Sequence, residues 1–339
     1  MSDGEKHGTP SIWWWAFGYF AAYAPYAALA KAVSAGMIKT GAKPPSGIEL
    51  LPSSVMATVV TAFAFLIFTG WWRAAGRVRI GRFDVPCPSW ITLWSGMCAS
   101  GIIATTTLAY TFEGTSIVLV QLLLRGGVLV IAPLVDLITR RKVQWYSWLG
   151  FALSLAGLLY PFAVERSFLI SAWCALDVGL YVMCYFVRLQ LMSRRAKSAD
   201  PNANLRYFVE EQLVSSPALL VALVIAALLG NHELVAGFTT FFDRPIWQTG
   251  LIIGVLSQGT GIFGGLILLD RRENTFCVPV NRASSILAGL VGSIGLAVWL
   301  DAKMPKTPEL VGAALMVGAI LALTIPPALA RRRARAAAA

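Results

Sequence analysis

Histidine is nearly missing from this chain. Only His7 and His232 occur in 339 residues, both in polar segments. A histidine-based metal site or proton relay has too little to be built from. The five cysteines, Cys87, Cys98, Cys174, Cys184 and Cys277, show no C-x-x-C spacing, which removes the common disulfide and metal frameworks. Charge is scarce too. Charged residues make up 13% of the chain, against about 25% in ordinary soluble domains. No phosphate-binding loop is present: GTGIFGG (259–265) lacks the Lys-Ser/Thr such a loop needs and lies in an apolar run. No cofactor and no metal are expected, and no ATP-driven step.

Apolar residues fill the space these absences leave. They are 57% of the chain, and mean hydropathy is +0.68. A helix needs about 20 apolar residues to cross a hydrocarbon core roughly 30 Å thick. Ten runs read as spans: 12–37, 53–72, 88–110, 115–139, 146–163, 168–193, 207–230, 245–269, 274–300 and 308–330. They are expected to be helical, because backbone in lipid must satisfy its own hydrogen bonds. Barrel strands would be shorter and alternating. The N-terminal MSDGEKHGTPS has no basic n-region, and the run after it is too long for a signal-peptide core. The first span is therefore expected to be retained.

The net charge of +11 is read from its distribution. With the N-terminal tail and the even-numbered gaps on one face, 18 Lys and Arg fall there and 6 on the other. The positive-inside rule puts both tails, 1–11 and 331–339, in the cytoplasm. The excess is then a topology signal and a contact for anionic lipid, not a nucleic-acid patch. Trp13, Trp14, Trp15, Trp71, Trp72, Trp145, Trp148 and Trp299 fall near span ends, as an interfacial belt requires.

Four basic residues remain inside spans: Lys31, Arg125, Arg188 and Arg282. Two sit in matching contexts. TSIVLVQLLLRGGVLVIAPLV (115–135) places Gln121 and Arg125 before small Gly126-Gly127. TFCVPVNRASSILAGLV (275–291) places Asn281-Arg282 before small Ala283-Ser284. LGFALSLAGLL (149–159) likewise parallels VGAALMVGAIL (311–321). Five spans per half, an odd number, make the second half enter the membrane inverted. The expected fold is all-α, with ten transmembrane helices as two inverted five-helix repeats, 12–163 and 168–330. Such repeats mark secondary transporters with a midplane site.

On these segments the chain resembles the drug/metabolite transporter superfamily, EamA-like carriers of ten helices in two inverted repeats. The resemblance covers residues 12–330. Its nearest branch is the nucleotide-sugar and triose-phosphate transporters. Carriers of the GDP-mannose type have Gly-Ala-Leu-Asn-Lys on the ninth helix, where Val278-Pro279-Val280-Asn281-Arg282 stands here: the Asn-basic pair is kept and the glycine is not. The branch has Phe-Tyr-Asn-Asn followed by Ser-x-Pro on the seventh helix. Val209-Glu210-Glu211-Gln212 and Ser215-Ser216-Pro217 occupy that frame, with two acids in place of neutral residues. The resemblance implies a multi-pass carrier in a bacterial inner membrane, working by exchange or with a coupled proton.

A charged residue at a helix centre costs about 2.5–3.5 kcal/mol to insert, so such residues face a bundle interior or a wet cavity. At 1.5 Å per residue, Arg282 lies roughly 12 Å and Arg125 about 15 Å inside their spans. The candidate substrate-binding residues are Arg282, Asn281, Arg125, Gln121, Glu211, Gln212, Tyr26 and Asp177. Asp177 is placed to meet Arg125, and Glu211 to approach Arg282. Either pair is a structural ion pair or part of the cavity, and Asp177 is also a candidate proton carrier. Lys31 and Arg188 read as side chains that reach out to water. Pro25, Pro133, Pro217 and Pro279 mark bends. The expected function is secondary transport of a small, polar, anionic or phosphate-bearing metabolite or lipid head group. The alternatives are export of amines caged by Glu211 and Asp177, and a membrane-embedded lipid-modifying enzyme.

Overall fold

Every one of the ten apolar runs forms a helix. The structure, a computed structural model, describes residues 12–34, 36–38, 44–80, 83–108, 117–165, 172–196, 202–301 and 304–336. The long helices are α1 (Ile12–Ser34), α2 (Gly47–Phe68), α3 (Trp90–Leu108), α4 (Ile117–Ile138), α5 (Trp145–Glu165), α6 (Ala172–Arg195), α7 (Ala203–Leu228), α9 (Trp247–Leu268), α10 (Asn274–Leu300) and α11 (Thr307–Ala336). A short α8 (His232–Phe238) stands between α7 and α9. Six of the eleven are long and apolar enough to cross a membrane: α2, α6, α7, α9, α10 and α11. That is the pattern of a multi-pass integral membrane protein.

The chain is not wholly helical. Arg77–Ile80 (β1) and Phe83–Pro86 (β2) pair antiparallel, with Arg77 opposite Pro86 and Val78 opposite Val85. This hairpin lies between the second and third apolar runs. Its alternation, Arg-Val-Arg-Ile, is the period-two pattern of a half-buried strand. At four residues per strand it is too short to register beside 20-residue runs. The second span also starts at Gly47 rather than 53, because Ser46 caps the helix by accepting from the Glu49 amide at 3.1 Å.

The helices pack as neighbours that are often distant in sequence. α1 lies on α9 and α10, and α6 lies on α3 and α4; α2 packs on α9 and α7 on α3; α2 meets α7, α4 meets α10, and α5 meets α11. Close approach depends on glycine at a few places. A Cβ on Gly254 would stand 2.1 Å from the Ser54 carbonyl oxygen of α2. One on Gly96 would stand 2.5 Å from Val214 of α7. Small residues at interfaces let helix backbones approach where lipid gives no hydrophobic drive.

The distribution of polarity is inverted relative to a soluble protein. Phe68, Leu229 and Trp299 are more than 80% exposed, while Glu210, Glu211, Gln212, Asn281 and Arg282 are buried. Outward apolar surface on this scale marks contact with lipid or a partner. The interior therefore holds the polar chemistry.

Candidate functional site

Arg282 and Arg125 are brought together by four helices. Each stands eight residues after its helix begins, Arg125 on α4 and Arg282 on α10. Each donates to a tyrosine and lies over the same ring. Arg125 Nη2 donates to the Tyr23 hydroxyl of α1 at 2.6 Å, its guanidinium 5.6 Å from that ring's centre. Arg282 Nη2 donates to the Tyr185 hydroxyl of α6 at 2.8 Å, its guanidinium 5.1 Å from that ring's centre. Each tyrosine has another one helical turn earlier. Tyr19 stacks on Tyr23 at 5.6 Å, and Tyr181 meets Tyr185 at a tilt of 55° with ring centres 4.9 Å apart. α4 packs on α10 and α1 on α10, which brings the Arg125–Tyr23 and Arg282–Tyr185 pairs to neighbouring helices.

Arg282 is the cation of this site that lacks a carboxylate among the described residues. Arg282 is 5% exposed. Among the described residues no carboxylate lies within ion-pair distance of it, and its Nε has no acceptor. Face-on tyrosines and one hydroxyl stabilise a cation only in part. An isolated buried charge is costly unless paired and hydrogen-bonded. Chemically the arrangement is a planar donor fork, set among hydroxyls, with capacity for an anion. Asn281, 3% exposed, borders it. A Cβ on Gly264 would meet Asn281 Nδ2 at 3.2 Å and the Tyr19 ring at 2.9 Å, so glycine lets α9 close against them.

The other candidates fall in different places. Glu211 does not approach Arg282. It is held by Arg188, Nε to Oε1 at 2.9 Å and Nη2 to Oε2 at 2.7 Å. Ser95 also donates to it, and Tyr207 donates to the Ser95 hydroxyl at 2.6 Å. Arg188 is accordingly 9% exposed and does not reach out to water. The reason is geometric: Arg188 near the end of α6 and Glu211 near the start of α7 stand at one level, on facing sides. Asp177 is buried, its Oδ2 lacks a hydrogen-bond partner, and no ion pair joins it to Arg125, whose Nη2 turns to Tyr23 instead. Gln212 accepts from Gln258 of α9 at 2.8 Å. Tyr26 meets Tyr23 edge to face at 5.7 Å and lines a cavity of about 50 Å³ with Ser54, Thr58, Ser216 and Ser257. The side chain of Gln121 lies outside the described residues.

Three site residues escaped the sequence reading: Tyr19, Tyr181 and Tyr185. A signal existed. Tyr19, Tyr23 and Tyr26 form one stripe at helical spacing, and Tyr181 and Tyr185 repeat it on α6. Glu210 escaped as an anchor. It accepts from the Gly76 amide at 3.0 Å, the Ser89 amide at 2.9 Å, the Thr92 hydroxyl at 2.6 Å and Arg206 at 2.7 Å. It thereby pins both ends of the β1–β2 segment to α7.

No family model matches the chain, and no curated protein matches it with significance. Among solved structures the fold is similar to one described only as "Crystal structure of protein". That structure aligns with a TM-score of 0.58 at 14% identity, covering 96% of this chain and 99% of the other. At that identity the likeness speaks to the fold alone.

Proposed function

We propose that this chain is a secondary transporter of the drug/metabolite kind, moving a small anionic or phosphate-bearing metabolite by alternating access. Arg282 carries the reading: a buried guanidinium with no carboxylate in reach among the described residues and an unused Nε is stabilised by an anion supplied from outside the chain. Arg125 is its second cation, and Tyr19, Tyr23, Tyr181, Tyr185 and Asn281 surround what enters. The coupling partner is an exchanged metabolite or a proton, and the membrane is a bacterial inner membrane with both tails cytoplasmic.

The repeat at the heart of this reading has support in helix packing. Moving five spans along the chain turns α1 on α9 and α10 into α6 on α3 and α4, and α2 on α9 into α7 on α3. The pairs α2 with α7, α4 with α10 and α5 with α11 map onto themselves. The same shift turns Tyr19-Tyr23 with Arg125 into Tyr181-Tyr185 with Arg282. An internal twofold relation of 12–163 to 168–330 accounts for all of these correspondences together.

The export of amines keeps one supporting observation, the unpartnered Asp177 Oδ2. Glu211 no longer serves it, being held by Arg188. One experiment separates the readings. Wild type and Arg282→Gln are melted with nucleotide sugars, sugar phosphates, head-group phosphates and organic amines. A ligand that binds only the folded state raises the melting temperature. Stabilisation of wild type by anions, lost in Arg282→Gln, is the expected result. Stabilisation of both proteins by amines, with anions inert, transfers the site to Asp177.

A further inference from the structure

A second cluster of arginines lies apart from the Arg282 site. A cleft of about 250 Å³ opens where α6 ends and α3 and α7 begin, lined by Arg194, Arg195, Arg206, Ser89, Thr92 and Glu210 among others. Three guanidiniums around one small volume repel each other unless something neutralises them. Glu210 is the one carboxylate in the lining among the described residues, and its oxygens are already taken by two amides, one hydroxyl and Arg206. Arg194 and Arg195 are exposed and enter no ion pair among the described residues. Among the described residues the cleft therefore carries two cations in surplus.

Its surroundings say what kind of anion fits. Trp90 opens α3 directly after Ser89, 70% exposed, and packs edge to face against Trp94, 51% exposed, at 5.6 Å. Two bare indoles at a helix start mark the level of lipid head groups. A freely soluble anion has no use for them. We propose that this cleft binds the phosphodiester head group of an anionic lipid. Arg194 and Arg195 take the phosphate oxygens, and Trp90 and Trp94 cover the glycerol and upper acyl chain. Basic pockets between helices are suited to such head groups because surface charge and hydrogen bonding act at once.

The test uses the full chain in neutral detergent, with melting temperature as readout. Phosphatidylglycerol, phosphatidylcholine and glycerol phosphate are added separately to wild type, Arg194→Gln/Arg195→Gln and Arg332→Gln/Arg333→Gln. The last variant removes the same charge from the C-terminal tail. The expected result is a rise of a few degrees with phosphatidylglycerol over phosphatidylcholine, lost in Arg194→Gln/Arg195→Gln and kept in the tail variant. An undiminished rise in Arg194→Gln/Arg195→Gln, or an equal loss in both double variants, overturns the site. Glycerol phosphate reproducing the whole rise overturns the lipid and leaves a soluble phosphate in its place. Arg282→Gln keeps the lipid response, so this cleft and the proposed transport site stand or fall separately.

Discussion

Replacing Arg188 by leucine leaves Glu211 buried with its charge and without two of its donors. In the native chain the pair is bidentate at 2.9 and 2.7 Å, with the two side chains 10% and 1% exposed. Hydrogen bonds to charged groups contribute about 1.5–3 kcal/mol each. Breaking a buried pair from one side costs about 3–5 kcal/mol overall. Ser95 still donates to Glu211, which keeps the loss within that range. Replacing both residues, Arg188→Leu with Glu211→Met, removes the stranded charge. Apolar exchange of a whole buried pair is near neutral or stabilises by about 1–4 kcal/mol. The four proteins form a double-mutant cycle, read as unfolding free energy by titration with sodium dodecyl sulfate in mixed micelles. The expected coupling is about 3 kcal/mol or more. Additive effects, with coupling under about 0.5 kcal/mol, would refute the argument, because they place the pair in water rather than between packed helices.

Two further outcomes follow from close contacts. Glu210→Ala releases Gly76, Ser89, Thr92 and Arg206 together. Loss of even one charge-assisted bond, about 1.5–3 kcal/mol, raises the open population roughly tenfold or more. Trypsin cleavage after Arg77 or Arg79 should accelerate accordingly, and an unchanged rate would show that the hairpin is held by something else. Gly254→Ala pushes a Cβ against the Ser54 carbonyl, which is backbone and cannot swing aside. Overpacking of this kind costs about 1–3 kcal/mol. Gly289→Ala on α10 meets nothing within 4 Å and should instead stabilise by about 0.5–1 kcal/mol. Melting temperatures moving the same way for both substitutions would contradict the packing described for α2 and α9.

The helices were legible in the sequence because their signal is one-dimensional. An apolar run of 20 residues has few structures open to it in lipid. Arg282 was legible for the same reason, as a guanidinium inside such a run. The convergence of Tyr19, Tyr23, Tyr181 and Tyr185 on the two arginines was not, because it depends on which of four helices are neighbours and how each is rotated. Glu211 shows the limit. Depth alone made both Arg282 and Arg188 available to it, and Arg188 stands about as far from the end of α6 as Glu211 from the start of α7. Choosing between them needs the rotation of α6 about its axis, which hydropathy does not encode. The hairpin failed for another reason: four-residue strands are too short to outweigh a window set for 20.

Buried charge among the described residues divides by how fully it is partnered. Asp136 at the end of α4 accepts from the Asn274 and Thr275 amides, the Thr275 hydroxyl and the Asn274 side chain, at 2.6–2.9 Å. It satisfies amides at the start of α10 that have no partner within the helix, and its charge suits that end of the dipole. Glu210 and Glu211 are saturated in the same way near the start of α7. These fully partnered groups hold helix ends and loops in one geometry, as satisfied polar networks do. Arg282 and Asp177 keep an unpartnered polar atom each. A fold that supplies four donors to Asp136 has the means to pair these as well. That their atoms stay unpaired, in the same interior, is what the proposed transport reading rests on: it assigns the partnered charges to the scaffold and these two to a ligand.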